Sequence, residues 1–296
     1  MRIRPVVCVG ALHMDAKARL AGDLIPGTSN PAVVTRTPGG VACNVARSLA
    51  RLDVPVSLIS VIGDDDVGHR LLARAALEGL GVGDVVVRPG SATAGYTAVL
   101  DRSGSLTFGI ADMAIYDDFG AEVIERAVPH HRGAIWFVDA NPAAGAIEAL
   151  APIDEELALD PVSIAKSRRL LPLLAGAAVV FPDAGEAEAL TGAADPATAA
   201  KALLAAGVDR AVVTVGARGV VVADAAGVHP RPAIAPRAMR DVTGAGDAFI
   251  AGYLAAWCRG EADPVGWGLA AASLTLETLD TVRDDLSVEM VRERLG

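Results

Sequence analysis

Cysteine is scarce in this chain of 296 residues, aromatic side chains make up only 4%, and basic charge is in deficit. The three cysteines, Cys8, Cys43 and Cys258, lie far apart and without metal-type spacing, which excludes a disulfide framework and a cysteine zinc site. No stretch approaches the ~18 apolar residues needed to cross a bilayer, and the apolar run near Met1 is too short for a secretory signal. A formal net charge of −10 argues against a nonspecific grip on nucleic-acid phosphates. There is no linker rich in proline or serine, no low-complexity tract and no repeat. The expectation is a soluble, cytoplasmic protein whose partner is a small molecule, with no nucleic acid and no membrane.

What is present is a chain 52% hydrophobic, its core built mainly from Ala, Val and Leu, as buried parallel strands with covering helices require. The predicted class is α/β with a mainly parallel central sheet. Strands are predicted at Pro5 to Gly10, Val56 to Ile62, Ala134 to Asp139, Glu156 to Asp160, Ala177 to Phe181 and Ala211 to Val215. Helices are predicted at Val41 to Leu52, Gly68 to Leu80, Ser163 to Leu174, Ala184 to Leu190, Pro196 to Ala206, Ala245 to Cys258 and Pro264 to Leu279. Two sections, about 11–37 and 92–111, break this rhythm as extended chain with turns, the second as a hairpin around Asp101 to Gly104. They suit a small β lid over the C-terminal strand ends, where ligands bind in open α/β sheets.

The most informative stretch is Asp241-Val242-Thr243-Gly244-Ala245-Gly246-Asp247, followed at once by an apolar helical pattern. Gly244, Ala245 and Gly246 are small enough for successive backbone N–H groups to converge at a helix N-terminus, where the dipole also favours an anion. Asp247, in the first turn, can accept a proton from a hydroxyl held beside a transferring phosphate. Taken alone, the same residues also fit a glycine turn with Asp as a dipole partner. Pro38-Gly39-Gly40-Val41-Ala42-Cys43-Asn44 offers a close backbone approach and an amide with both donor and acceptor. Asp15 projects from the end of the first strand, where a carboxylate can bind vicinal hydroxyls. Gly39-Gly40 with Asn44 also reads as a plain turn before a helix-surface amide.

Together these motifs resemble the ribokinase-like, PfkB-type family of ATP-dependent sugar and nucleoside kinases. The resemblance runs over almost the full length and implies one three-layer ribokinase-like domain, 1–296, carrying the small lid. Gly63 to Gly68 resembles the family's Gly-x-Asp-x-x-Gly turn, with Asp65 as its acid. Thr214, Gly216 and Gly219 resemble the nucleotide-side turn, and Asp183-Ala184-Gly185-Glu186 stands where the family has Asn-x-x-Glu. Asp183 departs from the usual Asn, which puts a direct phosphate contact there in doubt. The resemblance further implies Glu186 organising Mg²⁺ through water, K⁺ beside Asp241 and Thr243, and Ala271 and Ser273 near adenine.

Within the family, further segments resemble pseudouridine kinases: Ser29-Asn30-Pro31, Asp112-Met113, Asp139-Ala140-Asn141, and Asp160-Pro161-Val162-Ser163 with Lys166. Each has a plainer reading, as turn, cap or solvated cation. The expectation is transfer of the γ-phosphoryl of ATP to the 5′-hydroxyl of pseudouridine. In that reaction Asp15, Gly39, Gly40 and Asn44 hold the sugar, and Gly244, Ala245, Gly246 and Asp247 do the chemistry. Ser29, Asn30, Thr93, Tyr96, Asp112, Asn141 and Lys166 read the base or close the pocket. His130-His131 and Arg168-Arg169 read as solvated surface. Open alternatives are a family kinase for another nucleoside or sugar, such as ribose, adenosine or 2-keto-3-deoxygluconate, and a sensor that binds without turnover. Exposed lid edges invite a homodimer.

Overall fold

A computed structural model describes residues 3–296; Met1 and Arg2, which open the N-terminal run, lie outside the described residues. The first half of the chain forms β1 (Val6–Val9), β2 (His13–Leu20), β3 (Ala32–Gly39), α1 (Val41–Arg51), β4 (Val56–Gly63), α2 (Asp66–Leu77) and β5 (Val85–Arg88). The hairpin β6 (Gly95–Leu100) and β7 (Leu106–Asp112) follows, then α3 (Ala121–Ala127), β8 (Ile135–Asp139), α4 (Ala144–Leu150) and β9 (Glu156–Asp160). The remainder forms α5 (Leu171–Leu174), β10 (Val179–Val180), α6 (Ala184–Thr191), α7 (Pro196–Ala205), β11 (Ala211–Thr214), β12 (Val220–Asp224) and β13 (Gly227–Arg231). Three helices close it: α8 (Ala245–Arg259), α9 (Pro264–Thr275) and α10 (Val288–Leu295).

Nine strands make one sheet in the order β13-β12-β11-β10-β9-β8-β1-β4-β5. It is parallel from β5 to β11 and antiparallel at the β11–β12–β13 edge. Its central strands are unbroken apolar runs, because both faces are covered: α1, α8 and α9 pack on one side, and α3, α4 and α7 on the other. After β1 the chain builds outward through β4 and β5, then returns to place β8 on the other flank of β1. The junction of β1 and β8 is therefore a topological switch point, where a crevice opens beyond the strand ends.

The expected lid is a separate four-stranded sheet, β3-β2-β6-β7. Its register pairs Asp15 with Thr37 and with Tyr96, and Tyr96 with Ala111, so these four share one face. Phe108 and Ile110 alternate onto the opposite face and are exposed.

Three predicted segments come out differently. The helix predicted from Ser163 to Leu174 is a short 3₁₀ turn, Ser167–Leu170, followed by α5, because Pro172 has no N–H for a helix interior and restarts the helix in its first turn. The α9 helix stops at Thr275, four residues short of the predicted Leu279, and Thr278 and Asp280 then bond to one another. Regular strand in β10 shrinks to two residues, although Ala178 and Phe181 still donate to β9 on either side. Among the described residues no helix is long and apolar enough to cross a membrane.

Candidate active site

The switch point is held by one buried carboxylate. Asp139, last residue of β8 and fully buried, accepts from Ala11 N and Ala42 N on Oδ2, each at 3.0 Å. Its Oδ1 accepts from Asn141 N at 2.8 Å and from the Asn141 amide at 2.9 Å. The end of β1, the start of α1 and the loop after β8 are thereby tied to one side chain. Burial raises its pKa above the usual carboxylate value, against the pull of these N–H donors. Gly10 has no side chain because a Cβ there would lie 2.1 Å from the Asp139 carboxyl carbon.

On the lid side of this hub, Asp15 lies directly over Gly39, where a Cβ would come within 2.2 Å of the carboxylate. Gly40 takes φ 103° against the carbonyl of Ala11, so both glycines of the pair, themselves buried, are required by packing. His13 is 9% exposed and stands between Asp15, 3.1 Å from Nε2, and the Tyr116 hydroxyl, 3.4 Å from Nδ1. Tyr116 in turn lines a cavity of about 190 Å³ with Met113, Ala114, Asp117, Asn141, Lys166 and Arg169. Lys166 Nζ donates to Asn141 Oδ1 at 2.5 Å, and Arg169 donates to the Asn141 carbonyl at 3.1 Å.

On the other side, Gly244 caps α8 at φ 82°, with room for no more than hydrogen, since a Cβ would lie 1.9 Å from Thr281 O. Gly246 opens onto free space, so the N–H groups of the first turn can be approached. Asp247 sits in that turn and accepts from the Asn44 amide at 2.8 Å. The other amide atom, Asn44 Oδ1, is buried with no partner, an acceptor left open beside the carboxylate. Burial, with Asp139 and Asp15 nearby, pushes Asp247 up to about 7 despite the Asn44 bond.

A second cavity, about 170 Å³, is lined by Asp160, Asp183, Glu186, Thr214, Gly246 and Asp247, with Val41, Val162, Phe181 and Ile250 as apolar walls. Asp160 lies at the end of β9; burial, then the Glu186 and Asp247 charges, raise it well above the usual carboxylate range. Val162 is held at φ 66°, a strained conformation for a β-branched residue, with its N–H on Asp160 Oδ1 at 2.8 Å. Asp183 and Glu186 form a reciprocal capping box at the start of α6, each carboxylate accepting from the other's N–H at 2.8 Å. The acid at 183 is thus explained as a helix cap. Burial and that neighbour push Glu186 up to about 7. Among the described residues no three His, Cys, Asp or Glu side chains could hold a metal directly. Four carboxylates around one cavity do fit Mg²⁺ that keeps its own water shell.

Several expected residues lie elsewhere. Asn30 is spent on its own turn, accepting from Ile25 N and donating to the carbonyls of Ile25 and Thr28, with Ser29 exposed beside it. Thr93 bonds Asp65 through both N and Oγ1 and accepts from Gly63 N, so Thr93 and Asp65 lock the α2 turn to the lid root. Asp112 is exposed and alternates to the face opposite Asp15. Ala271 packs where a Gly252 Cβ would lie 2.8 Å away, and Ser273 is buried against Arg294, which places both inside the α8–α9–α10 packing. Gly219 turns against the carbonyl of Arg231, whereas Thr214 lines the cavity and Gly216 is open. Tyr96 shares the face of Asp15 but leans on Gly109.

His13, Tyr116, Asp117, Asp139 as a hub, and Arg169 were not singled out as site residues from sequence. Isolated polar residues carry no spacing signal, although Asp139 ends a strand and Arg169 follows Lys166 by three residues. Nor is His131 solvated as expected: it bonds Asp84 at 2.8 Å and meets the Trp136 ring edge-on.

The model of the pfkB family carbohydrate kinases matches residues 4–285. Pseudouridine kinase of Escherichia coli is 31% identical, over 97% of this chain and 95% of its own length. Fructoselysine 6-kinase of Escherichia coli is 30% identical over 81% of this chain and 89% of its own. A carbohydrate kinase structure from Agrobacterium tumefaciens superimposes with TM-score 0.84 at 31% identity, covering 99% of this chain and 97% of that one.

Proposed function

Because the chain belongs to the pfkB family of carbohydrate kinases, phosphotransferases with an alcohol acceptor, we propose that it moves the γ-phosphoryl of ATP to the 5′-hydroxyl of pseudouridine. The observation that carries the reading is Asn44, whose amide holds Asp247 while its buried carbonyl oxygen is left open for a hydroxyl donor. A sugar hydroxyl donating there sets the acceptor beside Asp247, with the neighbouring attacking hydroxyl left to direct its own proton at the Asp247 carboxylate. Asp15, oriented by His13 and Tyr116, and the backbone at Gly39 and Gly40 would bind the remaining sugar hydroxyls.

Asp247 takes the proton as the hydroxyl oxygen attacks, and a base near neutrality suits that task. The N–H groups of Gly244 and Gly246 receive the phosphoryl oxygens, with the α8 dipole behind them; the expected Ala245 N–H instead reaches Val242 O at 3.4 Å. ATP would place its phosphates in the acid-walled cavity beside Thr214 and Gly246. Asp160, Asp183 and Glu186 would hold Mg²⁺ through water, and the ion would neutralise the phosphate charge that these carboxylates otherwise repel.

The pseudouridine assignment is supported by the relative at 31% identity and by the neighbouring cavity. A uracil attached through carbon presents two N–H donors and two carbonyl acceptors. Lys166 and Arg169 can donate, Asp117 can accept, and Met113 and Tyr116 offer apolar surface to the ring. The similarity to fructoselysine 6-kinase favours a second reading, another sugar-type alcohol in the same place.

ADP release with Mg–ATP is measured on pseudouridine, uridine, adenosine, ribose, fructose and 2-keto-3-deoxygluconate, with Asp247→Asn as control. Pseudouridine is expected to give the highest kcat/KM. Turnover confined to another acceptor overturns the base reading, and binding without ADP release overturns the kinase reading. A homodimer is proposed through the outer lid face, where Val34, Phe108 and Ile110 are exposed, and a monomer by light scattering rejects it.

A further inference from the structure

Strand β2 carries a second charged side chain beside Asp15. Lys17 follows it by two residues and so projects from the same lid face. It reaches the loop before α8, where its Nζ lies 3.3 Å from Thr243 Oγ1 and 3.5 Å from Asp241 Oδ2. Thr243 donates both N–H and hydroxyl to the other oxygen, Asp241 Oδ1, at 2.9 and 2.7 Å. About two-thirds of the Lys17 side chain is shielded from water, being 32% exposed.

These are the residues at which family resemblance implies K⁺. With Lys17 in place they do not fit a free cation. Both Asp241 oxygens are engaged, and the ammonium already supplies one compact positive charge to the same acceptors. A second monovalent cation on the same acceptors would meet repulsion from the ammonium.

We propose that Lys17 is a positioning residue that replaces the monovalent cation with a tethered one. Its ammonium fixes the Asp241–Thr243 turn and, through it, the Gly244 start of the anion hole. Because Asp15 rides on the same strand, the lid position that grips the acceptor sugar also delivers the charge that orders the phosphate loop. Nucleotide binding then needs no added K⁺. The inference rests on the kinase reading of this site, though not on which alcohol is the acceptor.

Wild type, Lys17→Arg and Lys17→Met are compared in buffer whose only monovalent cation is tetramethylammonium, then with K⁺ exchanged in at constant ionic strength. The readouts are the Kd of a non-hydrolysable Mg–ATP analogue, the thermal midpoint and ADP release. Wild type and Lys17→Arg are expected to bind the analogue and melt alike in both salts. Lys17→Met is expected to lose about tenfold in affinity, the size of one charge-assisted hydrogen bond, and to regain it with K⁺. A wild type whose analogue affinity or midpoint rises several-fold or by several degrees with K⁺ overturns the proposal. So does a Lys17→Met protein that binds like wild type in tetramethylammonium, or one that is weakened with no K⁺ rescue. Analogue binding is read without acceptor, so a wrong acceptor silences ADP release while leaving this comparison intact.

Discussion

The two cavities flanking Asp139 are nearly equal in volume, about 190 and 170 Å³, and opposite in character. The proposed phosphate side is walled by carboxylates and by backbone at the start of α8, and most of its polar parts come as short contiguous motifs, 183–186 and 246–247, joined by Asp160 and Thr214. The proposed acceptor side is assembled from single residues of the 3₁₀ turn Ala114–Asp118 after β7, the loop after β8 and the segment after β9, and two cations, Lys166 and Arg169, line it. On the proposed reading, transfer chemistry is common to every acceptor and falls to local backbone geometry, whereas acceptor recognition falls to separate side chains.

The sharpest way to break this division is Asp247→Asn. Turnover should fall about 10²- to 10⁴-fold while both ligands still bind, as steady-state kinetics and calorimetry together would show. The free-enzyme pH profile should rise as pH passes about 7, because the base acts deprotonated, and that limb should vanish in the variant. Stability carries the opposite sign. Asp247 and Glu186 both titrate higher when folded than the ordinary carboxylate value, so the ligand-free protein should melt earlier as pH rises from the usual carboxylate range toward 7.

Asp139→Asn attacks the hub rather than either cavity. An amide must turn its NH₂ toward one of the two donor pairs, at a cost of about 1–3 kcal/mol for each N–H left unpaired. Denaturant melts should show the loss, and KM should rise for acceptor and nucleotide alike; a rise for one alone would mean the cavities are independently held. Lys166→Met sharpens the comparison from the acceptor side. It should lower kcat/KM for pseudouridine about 10- to 100-fold, the range for losing a charge-assisted bond, with KM for Mg–ATP unchanged.

The smallest effects separate two glycines of one motif. Gly246→Ala meets nothing within 4 Å and should leave the melting temperature level or slightly raised, yet weaken nucleotide binding as its methyl enters the cavity. Gly244→Ala should instead destabilise, by about 1–2 kcal/mol for the left-handed backbone alone and further for the contact with Thr281. If calorimetry finds the two indistinguishable, the anion hole is not where α8 begins.

Much of this division was legible in the chain. The strand from Glu156 to Asp160 was predicted with its observed ends, and α1, α6, α7 and α8 to within two residues, because buried parallel strands and capped helices write their periodicity locally. The antiparallel β12–β13 edge and the return of β8 beside β1 were not legible, since strand order is a property of long-range pairing. The same holds in the site. Asn30 and Thr93 look like ligand-binding polar residues until their partners, Ile25 and Asp65, are seen to saturate them. His13 and Arg169 look unremarkable until Tyr116 and Asn141 are brought to them.

By itself the sequence determined the α/β class, the glycine turn that opens α8 with Asp247 in its first turn, and the lid segments, because each depends on residues close together in the chain. Only the tertiary structure decided that Asp139 ties three loops at the switch point, that Asn44 holds Asp247 with one atom and leaves the other open, and that Lys17 crosses from the lid to Asp241. Apart from the Asp139–Asn141 bonds, those contacts join residues 97 to 226 positions apart, and no local pattern encodes a bond whose two ends meet only when the sheet has formed.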